Sequence, residues 1–392
     1  MSEKEYVRKQ KEDRPVVAIC YDFDKTLSPD DMQAQGYIQS VGYDIPEFWK
    51  KSNILAAENE MDQNLAYMYL MKQEAEGKVL FTRRKLAEYG ANVKLFPGVE
   101  QWFERIRKYG KEQGVIVEHY IISSGLKEMI EGTSVARSGA FEKIYASSFY
   151  FNDHDVAVWP AQVINYTSKT QFLFRIEKGV LDINDPAVNE SFSPEEIRVP
   201  FRNIVYIGDS DTDIPCMKLV TTYGGHSIGV YDAQTEDKAK VYKMMRDGRI
   251  RYFAPADYTE NSELDRLVKS IIDRTVANES LEALHYQCKR ERIEADRKSS
   301  EEDREKAGLL MELENSPNFA STHSVIRKLR KIDDWTPEER EVLLQTAEKN
   351  SQVYSVLQDP DIREFYRGIL GKIHPLTEEA RKIKEIIENR KS

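Results

Sequence analysis

The run Val16-Val17-Ala18-Ile19-Cys20-Tyr21 is apolar at every position and is stopped at once by Asp22-Phe23-Asp24-Lys25-Thr26. A strand with one wet face alternates apolar and polar residues, whereas an unbroken apolar run of this length fits a strand covered on both faces. Two further strands end in the same way. Val115 to Ile122 runs into Ser123-Ser124-Gly125, and Asn203 to Ile207 runs into Gly208-Asp209-Ser210-Asp211-Thr212-Asp213. Shorter strands are expected at Ile144 to Ser147 and His226 to Val230, with a hairpin over Phe149 to Ile164 turning at Asn152-Asp153-His154-Asp155. Helical stretches separate the strands, so the reading is an α/β fold with a parallel sheet and right-handed crossovers. In such a sheet the reactive groups gather where strands end.

The remaining segments read as helical. Between Asp30 and Val93 no strong strand interrupts a helical pattern in which Leu65, Met68 and Tyr69 share a face. Phe96-Pro97-Gly98-Val99 is a turn that feeds a helix through Trp102, Phe103 and Ile106. Ser193-Pro194-Glu195-Glu196 has the chemistry of a helix start, as does Thr336-Pro337-Glu338-Glu339. A helix is expected from Thr235 to Met245 and another from Glu263 to Thr275. The run Gln287 to Glu312 mixes both charge signs and reads as a solvated helix or linker. Beyond Ser316, Leu343, Ala347, Tyr354 and Leu357 are expected to line one face of a small helical unit. The expected division is an α/β core at 15–29 and 94–258, a helical cap at 30–93 and a helical C-terminal extension at 259–392.

Composition sets broad limits. A hydrophobic fraction of 40% supports a sizeable core, and a net charge of −10 argues against general nucleic-acid binding, which needs Lys and Arg for phosphates. Cys20, Cys216 and Cys288 lack metal-ligand spacing, and Cys20 reads as a small core residue. The charged segment Met1 to Arg14 has no signal-peptide pattern, and no run has the length to span a bilayer. A cytoplasmic protein is expected.

The strand ends carry the chemistry. Asp22 and Asp24, two apart on an extended segment, point the same way. One carboxylate can attack phosphorus and hold the phosphoryl group, and a second can protonate the leaving oxygen and then activate water. Asp209 and Asp213 add hard oxygen donors of the kind magnesium takes. Lys169, at an expected helix start in Thr167-Ser168-Lys169, balances charge, with Lys178 its nearest competitor. Ser123 offers a hydroxyl, and the amides of Ser124 and Gly125 are expected to open a helix and cradle phosphate oxygens. Asp211 reads as a solvated loop residue, His154 as a hairpin tip, His226 as a strand-edge residue, and Tyr67, Met68 and Tyr69 as helix packing.

On these residues the chain resembles the haloacid dehalogenase-like superfamily. Asp22-Phe23-Asp24-Lys25-Thr26-Leu27 is similar to its first motif, Ile121-Ile122-Ser123 to the second, Lys169 in Thr167-Ser168-Lys169-Thr170 to the third, and Gly208 to Asp213 to the fourth. The resemblance covers about Pro15 to Asp257. It implies a Rossmann-like core, Asp22 as nucleophile and magnesium ligand, and Asp24 as acid/base with its carbonyl on the metal. It further implies that Ser123 and Lys169 bind the phosphoryl group, that Asp209 ligates Mg2+, and that Asp213 supports the metal's water shell or orients Lys169. The helical insert and Phe96-Pro97-Gly98 resemble the phosphoserine phosphatase-like branch, although Ser124 stands where that branch usually has a glycine. The expected activity is hydrolysis of a small phosphorylated metabolite through an aspartyl phosphate. The alternatives are a macromolecular substrate docked by the helical tail, or a weakly catalytic module that binds a protein partner through its C-terminal helices. Neither a membrane nor a nucleic acid is an expected partner.

Overall fold

The computed structural model describes residues 6–235, 237–295, 301–373 and 376–388. The chain packs as two units, one formed by Met1–Ile183 with Arg198–Ser280 and the other by Asn184–Ile197 with Leu281–Ser392. The first unit therefore runs past residue 258, and the second includes a stretch between two strands of the first.

The first unit is built on a sheet of seven strands: β1 (Val16–Tyr21), β2 (Ile116–Leu126), β3 (Lys143–Phe151), β4 (Ala157–Gln162), β5 (Ile204–Gly208), β6 (His226–Tyr231) and β7 (Tyr252–Pro255), in the order β4-β3-β2-β1-β5-β6-β7. All neighbours are parallel except β3 and β4. All six residues of β1 are buried. Val17, Ile19 and Tyr21 belong to one apolar core, and Val16, Ala18 and Cys20 to the core on the opposite face. That two-sided cover is why the strand has no polar position. The chain leaves β1 for β2 on one side and later returns to β5 on the other, so Asp22 sits at the switch point of the sheet.

Two buried ionisable residues interrupt the apolar pattern of β2. Glu118 accepts from Arg198 Nη1 and Nη2, both at 2.7 Å, from Lys9 Nζ at 2.8 Å and from Tyr120 Oη at 2.6 Å. Burial would raise this carboxyl, yet Arg198, Lys9 and Tyr120 outweigh it and hold it down at about 2. His119 beside it is kept neutral mainly by burial, its titration pulled down to about 3.

The insert expected to be helical contains helices Ile45–Glu58, Gln63–Ala75 and Arg83–Ala91. The face proposed for Gln63–Ala75 needs correction: Tyr69 is exposed, while Ala66, Tyr67, Met68, Leu70 and Met71 are buried. The re-entry turn is as expected. Gly98 adopts a φ of +80°, and a Cβ there would lie 2.4 Å from the backbone of Tyr258 and Thr259. The helix that follows is Val99–Glu112.

Other boundaries shift. The two strands expected at 144–147 and from Phe149 are one strand, β3, and β7 was not anticipated. The expected 235–245 helix spans Ala239–Arg246, and Glu236 lies outside the described residues. Ser193 and Glu196 do bond to each other, at 2.9 Å between Oγ and carboxylate, but no helix follows. Ile197, Arg198 and Val199 are drawn into burial and Pro200 then enforces an extended approach to β5. His226 is buried within an inner strand, not at an edge.

In the second unit, helices Glu301–Glu314, Phe319–Leu329, Pro337–Lys349, Ser351–Ser355, Pro360–Leu370 and Glu378–Glu388 surround Leu313, Leu329, Leu343, Leu357, Tyr366 and Ile383. Thr336 and Glu339 form the expected reciprocal cap, at 2.8 and 3.2 Å. Tyr354 is exposed and does not join the apolar face with Leu343, Ala347 and Leu357. The helix expected from Glu263 continues to Ala295, and residues 296–300 of the charged run lie outside the described residues.

Candidate active site

Asp22 is the first residue past β1, and its amide donates to the carbonyl of Ile207 on β5 at 3.0 Å, which extends the sheet by one bond. Its Oδ1 accepts from the amide of Phe23 at 2.8 Å, and its Oδ2 lies 3.1 Å from Lys169 Nζ. Lys169 ends the short turn Tyr166–Lys169 that leads into helix Thr170–Lys178, and its side chain is fully buried. The same ammonium lies 2.7 Å from Asp213 Oδ1. Lys178, its competitor in the sequence, packs elsewhere, with its carbonyl bonded to Arg8 Nε at 2.8 Å.

Asp213 is saturated by donors. Its Oδ1 takes Lys169 and Tyr206 Oη, the latter at 2.9 Å, and its Oδ2 takes the amide and hydroxyl of Ser210 at 3.1 and 3.0 Å. Gly208 permits this approach, since a Cβ there would fall 2.6 Å from Asp213 Oδ2. Asp209, one residue past β5, meets Lys240 Nζ at 3.2 Å. Asp24 lies past β1 in a turn where Lys25 takes a φ of +56°, and its Oδ1 accepts from the amide of Met32 at 2.8 Å.

Asp22, Asp209 and Asp213 each place a carboxylate oxygen within 4.8 Å of the others. Burial and this crowding raise Asp22 and Asp209. Burial, reinforced by Asp213 and only partly relieved by Lys169, pushes Asp22 up to about 7. Burial raises Asp209 to about 6 against the pull of Lys240. Asp24 is raised well above the carboxylate range by burial, Asp31 and Asp22. Burial alone would lower Lys169, but Asp213 and Asp22 reverse the direction and hold it charged. Buried hard oxygens at this spacing, with one enclosed cation among them, fit a divalent metal ion of the hard class. Asp213 carries two donors on each oxygen, whereas Asp22 carries one on each and Asp209 meets Lys240 through Oδ2 alone, so the acceptor capacity left for a metal lies on Asp22 and Asp209.

The tip of β2 corrects the expected phosphate cradle. The strand stays extended through Ser123, Ser124 and Gly125 to Leu126, with a register shift against β3, and the following helix begins only at Lys127. The amide of Gly125 donates to Ser123 Oγ at 3.1 Å and opens no helix. The segment still reaches the site. A Cβ on Gly125 would lie 3.0 Å from Asp24 Oδ2, and Ser123, Ser124 and Gly125 line the same cavity as Asp22, Asp24 and Asp209.

That cavity, about 360 Å³, is roofed by the insert. Gln33, Trp49, Ser52, Asn53, Gln63, Asn64 and Tyr67 face it, and Tyr67 Oη donates to the carbonyl of Ser124 at 2.7 Å. Tyr67 thus does more than helix packing. Trp49, Gln33, Lys240 and Tyr206 were missed in the sequence, where no local pattern marks them; Trp49 and Lys240 reach the site from elements distant in the chain, whereas Gln33 and Tyr206 are near the acidic segments and look like ordinary loop and strand residues. Asp211 is exposed, and His154 lies in the hairpin turn.

The sequence profile of the haloacid dehalogenase-like hydrolase family matches residues 19–218, just over half of the chain. An uncharacterized protein of Borreliella burgdorferi is 26% identical over 272 residues, covering 64% of this chain and 94% of its own. Among solved structures, a haloacid dehalogenase family hydrolase from Salmonella enterica serovar Typhi aligns with a TM-score of 0.44 at 18% identity, over 67% of this chain and 73% of that one. A probable phosphoserine phosphatase from Vibrio cholerae aligns with a TM-score of 0.43 at 11% identity, over 68% and 67% respectively. Among the described residues, no helix is long and apolar enough to cross a membrane.

Proposed function

The chain belongs to the haloacid dehalogenase-like hydrolases, and from that premise we propose that it is a magnesium-dependent phosphatase that cleaves a small phosphomonoester through an aspartyl phosphate on Asp22. The observation that carries the reading is the buried pair of Asp22 and Lys169, 3.1 Å apart at the switch point of the sheet, with Asp24 two residues on under the same roof.

Asp22 Oδ attacks phosphorus, and the bond from phosphorus to the ester oxygen breaks. Asp24, held protonated by its surroundings and aimed by the amide of Met32, gives its proton to the departing oxygen. In the second half, the Asp24 carboxylate takes a proton from water as the water oxygen bonds to phosphorus and the acyl phosphate opens. Free phosphate leaves and Asp22 is restored. Lys169 and Ser123 are the groups placed to hold the equatorial oxygens, and Asp213 with Tyr206 keeps Lys169 in position. Asp22, Asp209 and the carbonyl of Asp24 would hold Mg2+, with Asp213 behind them, and the ion would supply charge stabilisation to the phosphoryl group. The helical roof over a cavity of about 360 Å³ limits the leaving group in size, which supports a small metabolite over a macromolecule.

The test is hydrolysis of para-nitrophenyl phosphate with magnesium, with EDTA and with Asp22→Asn. Turnover that needs the metal and vanishes in the variant is expected. Turnover that survives Asp22→Asn would exclude the assignment. A second readout is independent of activity: magnesium should raise the thermal midpoint of the wild type and should do so far less for Asp209→Asn.

A further inference from the structure

The roof of the cavity offers hydrogen bonds and no positive charge. The side chains it presents are Gln33, Trp49, Ser52, Asn53, Gln63, Asn64 and Tyr67, all neutral. The lysines that line the cavity come from the core side and are engaged, Lys25 with Asp31 at 2.9 Å and Lys240 with Asp209 at 3.2 Å. Four carboxylates, Asp22, Asp24, Asp31 and Asp209, line it as well. A leaving group that carried its own carboxylate or a second phosphate would meet no counter-charge in the roof and would face this acidic floor.

Several of the neutral groups are also unspent. Gln33 and Ser52 are each 2% exposed, line the cavity, and have no side-chain hydrogen-bond partner among the described residues. The indole Nε1 of Trp49 and the hydroxyl of Ser124 are buried without a partner. Buried polar groups are nearly always paired, and a cluster of unpaired ones on one cavity wall marks what a ligand must supply. An amide offers a donor and an acceptor side by side, which matches adjacent hydroxyls, and an indole adds an apolar face and one further donor. The cavity, at about 360 Å³, lies at the small end of ligand sites.

Building on the phosphatase reading, we infer that the roof selects a phosphomonoester whose leaving group is an uncharged, hydroxyl-rich molecule of monosaccharide size, a sugar or a polyol. Gln33, Ser52 and the Trp49 indole bind its hydroxyls, with Asn53 and Gln63 at the rim. Esters with an anionic leaving group, 3-phosphoglycerate among them, are excluded by charge, and phosphoserine is disfavoured because the roof gives its carboxylate no counter-charge.

The experiment compares kcat/KM of the wild type for sorbitol 6-phosphate, glucose 6-phosphate, phosphoserine, 3-phosphoglycerate, phosphocholine and para-nitrophenyl phosphate, all with magnesium. At least one of the two hydroxyl-rich esters should exceed phosphoserine and 3-phosphoglycerate by about a hundredfold or more, the size expected when a charge is left unpaired. Gln33→Leu should lower kcat/KM for that ester through KM. Asn53 is exposed, so Asn53→Lys can fold, and it should narrow the gap to 3-phosphoglycerate by about tenfold. Turnover of para-nitrophenyl phosphate with phosphoserine, 3-phosphoglycerate or phosphocholine preferred would overturn this inference and leave the phosphatase reading standing. An unchanged gap in Asn53→Lys would also overturn it. Failure to hydrolyse any of the six, the reporter included, would sink the phosphatase reading and this inference with it.

Discussion

Replacing Lys169 with methionine removes the cation enclosed among the acidic groups while keeping a side chain of similar length. The ammonium sits 2.7 Å from Asp213 and 3.1 Å from Asp22, with no exposed surface of its own. At an effective dielectric constant of about 20, each contact corresponds to ~5–6 kcal/mol of Coulomb attraction. Much of that is offset in the native protein by the cost of stripping water from the lysine. The variant keeps the carboxylates buried without their partner, and breaking a buried pair in this way costs about 3–5 kcal/mol. A loss of that size should shift the urea midpoint by more than ~1 M for a typical slope. Activity should fall further than stability explains. In the proposed mechanism Lys169 meets the charge that develops on the phosphoryl oxygens, and loss of such a group lowers kcat by about 10²–10³. The assay pairs urea unfolding, followed by circular dichroism, with para-nitrophenyl phosphate turnover under conditions where the variant is folded. Wild-type kcat in a folded Lys169→Met protein would refute the reasoning, and so would an unchanged midpoint.

The remaining predictions concern the scaffold. Arg198→Met should destabilise the protein by about 3–5 kcal/mol, because it strands Glu118 in the sheet with Lys9 as its remaining ion partner; a midpoint within error of wild type would show that the pair is dispensable. His119 and Glu118 each contribute stability that is lost as the pH falls, against the buried Asp22 and Asp209, whose raised values act in the opposite direction. His119 is held down at about 3, so the unfolded chain takes up a proton first as pH drops below about 6.5, and the contribution is lost between those values. Glu118, held down at about 2, adds a second loss that starts near pH ~4.5 and continues to its folded value, again because the unfolded state binds the proton more readily. The difference in urea midpoint between wild type and His119→Gln at pH 7, 6 and 5 isolates the His119 contribution: the wild type should lose ground to the variant as the pH falls, and a constant difference would mean that His119 titrates normally. Gly98→Ala should lower the thermal midpoint through a cost of ~2 kcal/mol or more, since a Cβ would enter the backbone of Tyr258 and Thr259 at a positive φ; a stable variant would show that the turn relaxes.

The parts of the fold legible in the sequence were those written locally. β1 and β5 announce themselves because a doubly covered strand must be apolar throughout, and the acids that follow them are conspicuous for the same reason. Lys169 was legible from its place at a helix start, although its two carboxylate partners come from other strand ends. Contacts set by long-range packing were not legible. Glu118 and Arg198 are 80 positions apart, and nothing in either neighbourhood names the other. Helix Gln63–Ala75 is buried on more than one side, which blurs the helical period and hid the turn of Tyr67 toward the cavity. Ser124 and Gly125 look like a helix start in sequence, yet pairing of β2 with β3 keeps the chain extended through Leu126, a tertiary override of local preference.

The central claim is that Asp22 carries the phosphoryl group as a covalent intermediate. Turnover with magnesium and para-nitrophenyl phosphate, quenched in acid and reduced with borohydride, converts an aspartyl phosphate to homoserine, which peptide mass spectrometry locates. The account predicts homoserine at position 22 and at no other aspartate, only when substrate is present. Undiminished turnover with an unmodified Asp22, or with the label on another residue, would contradict it.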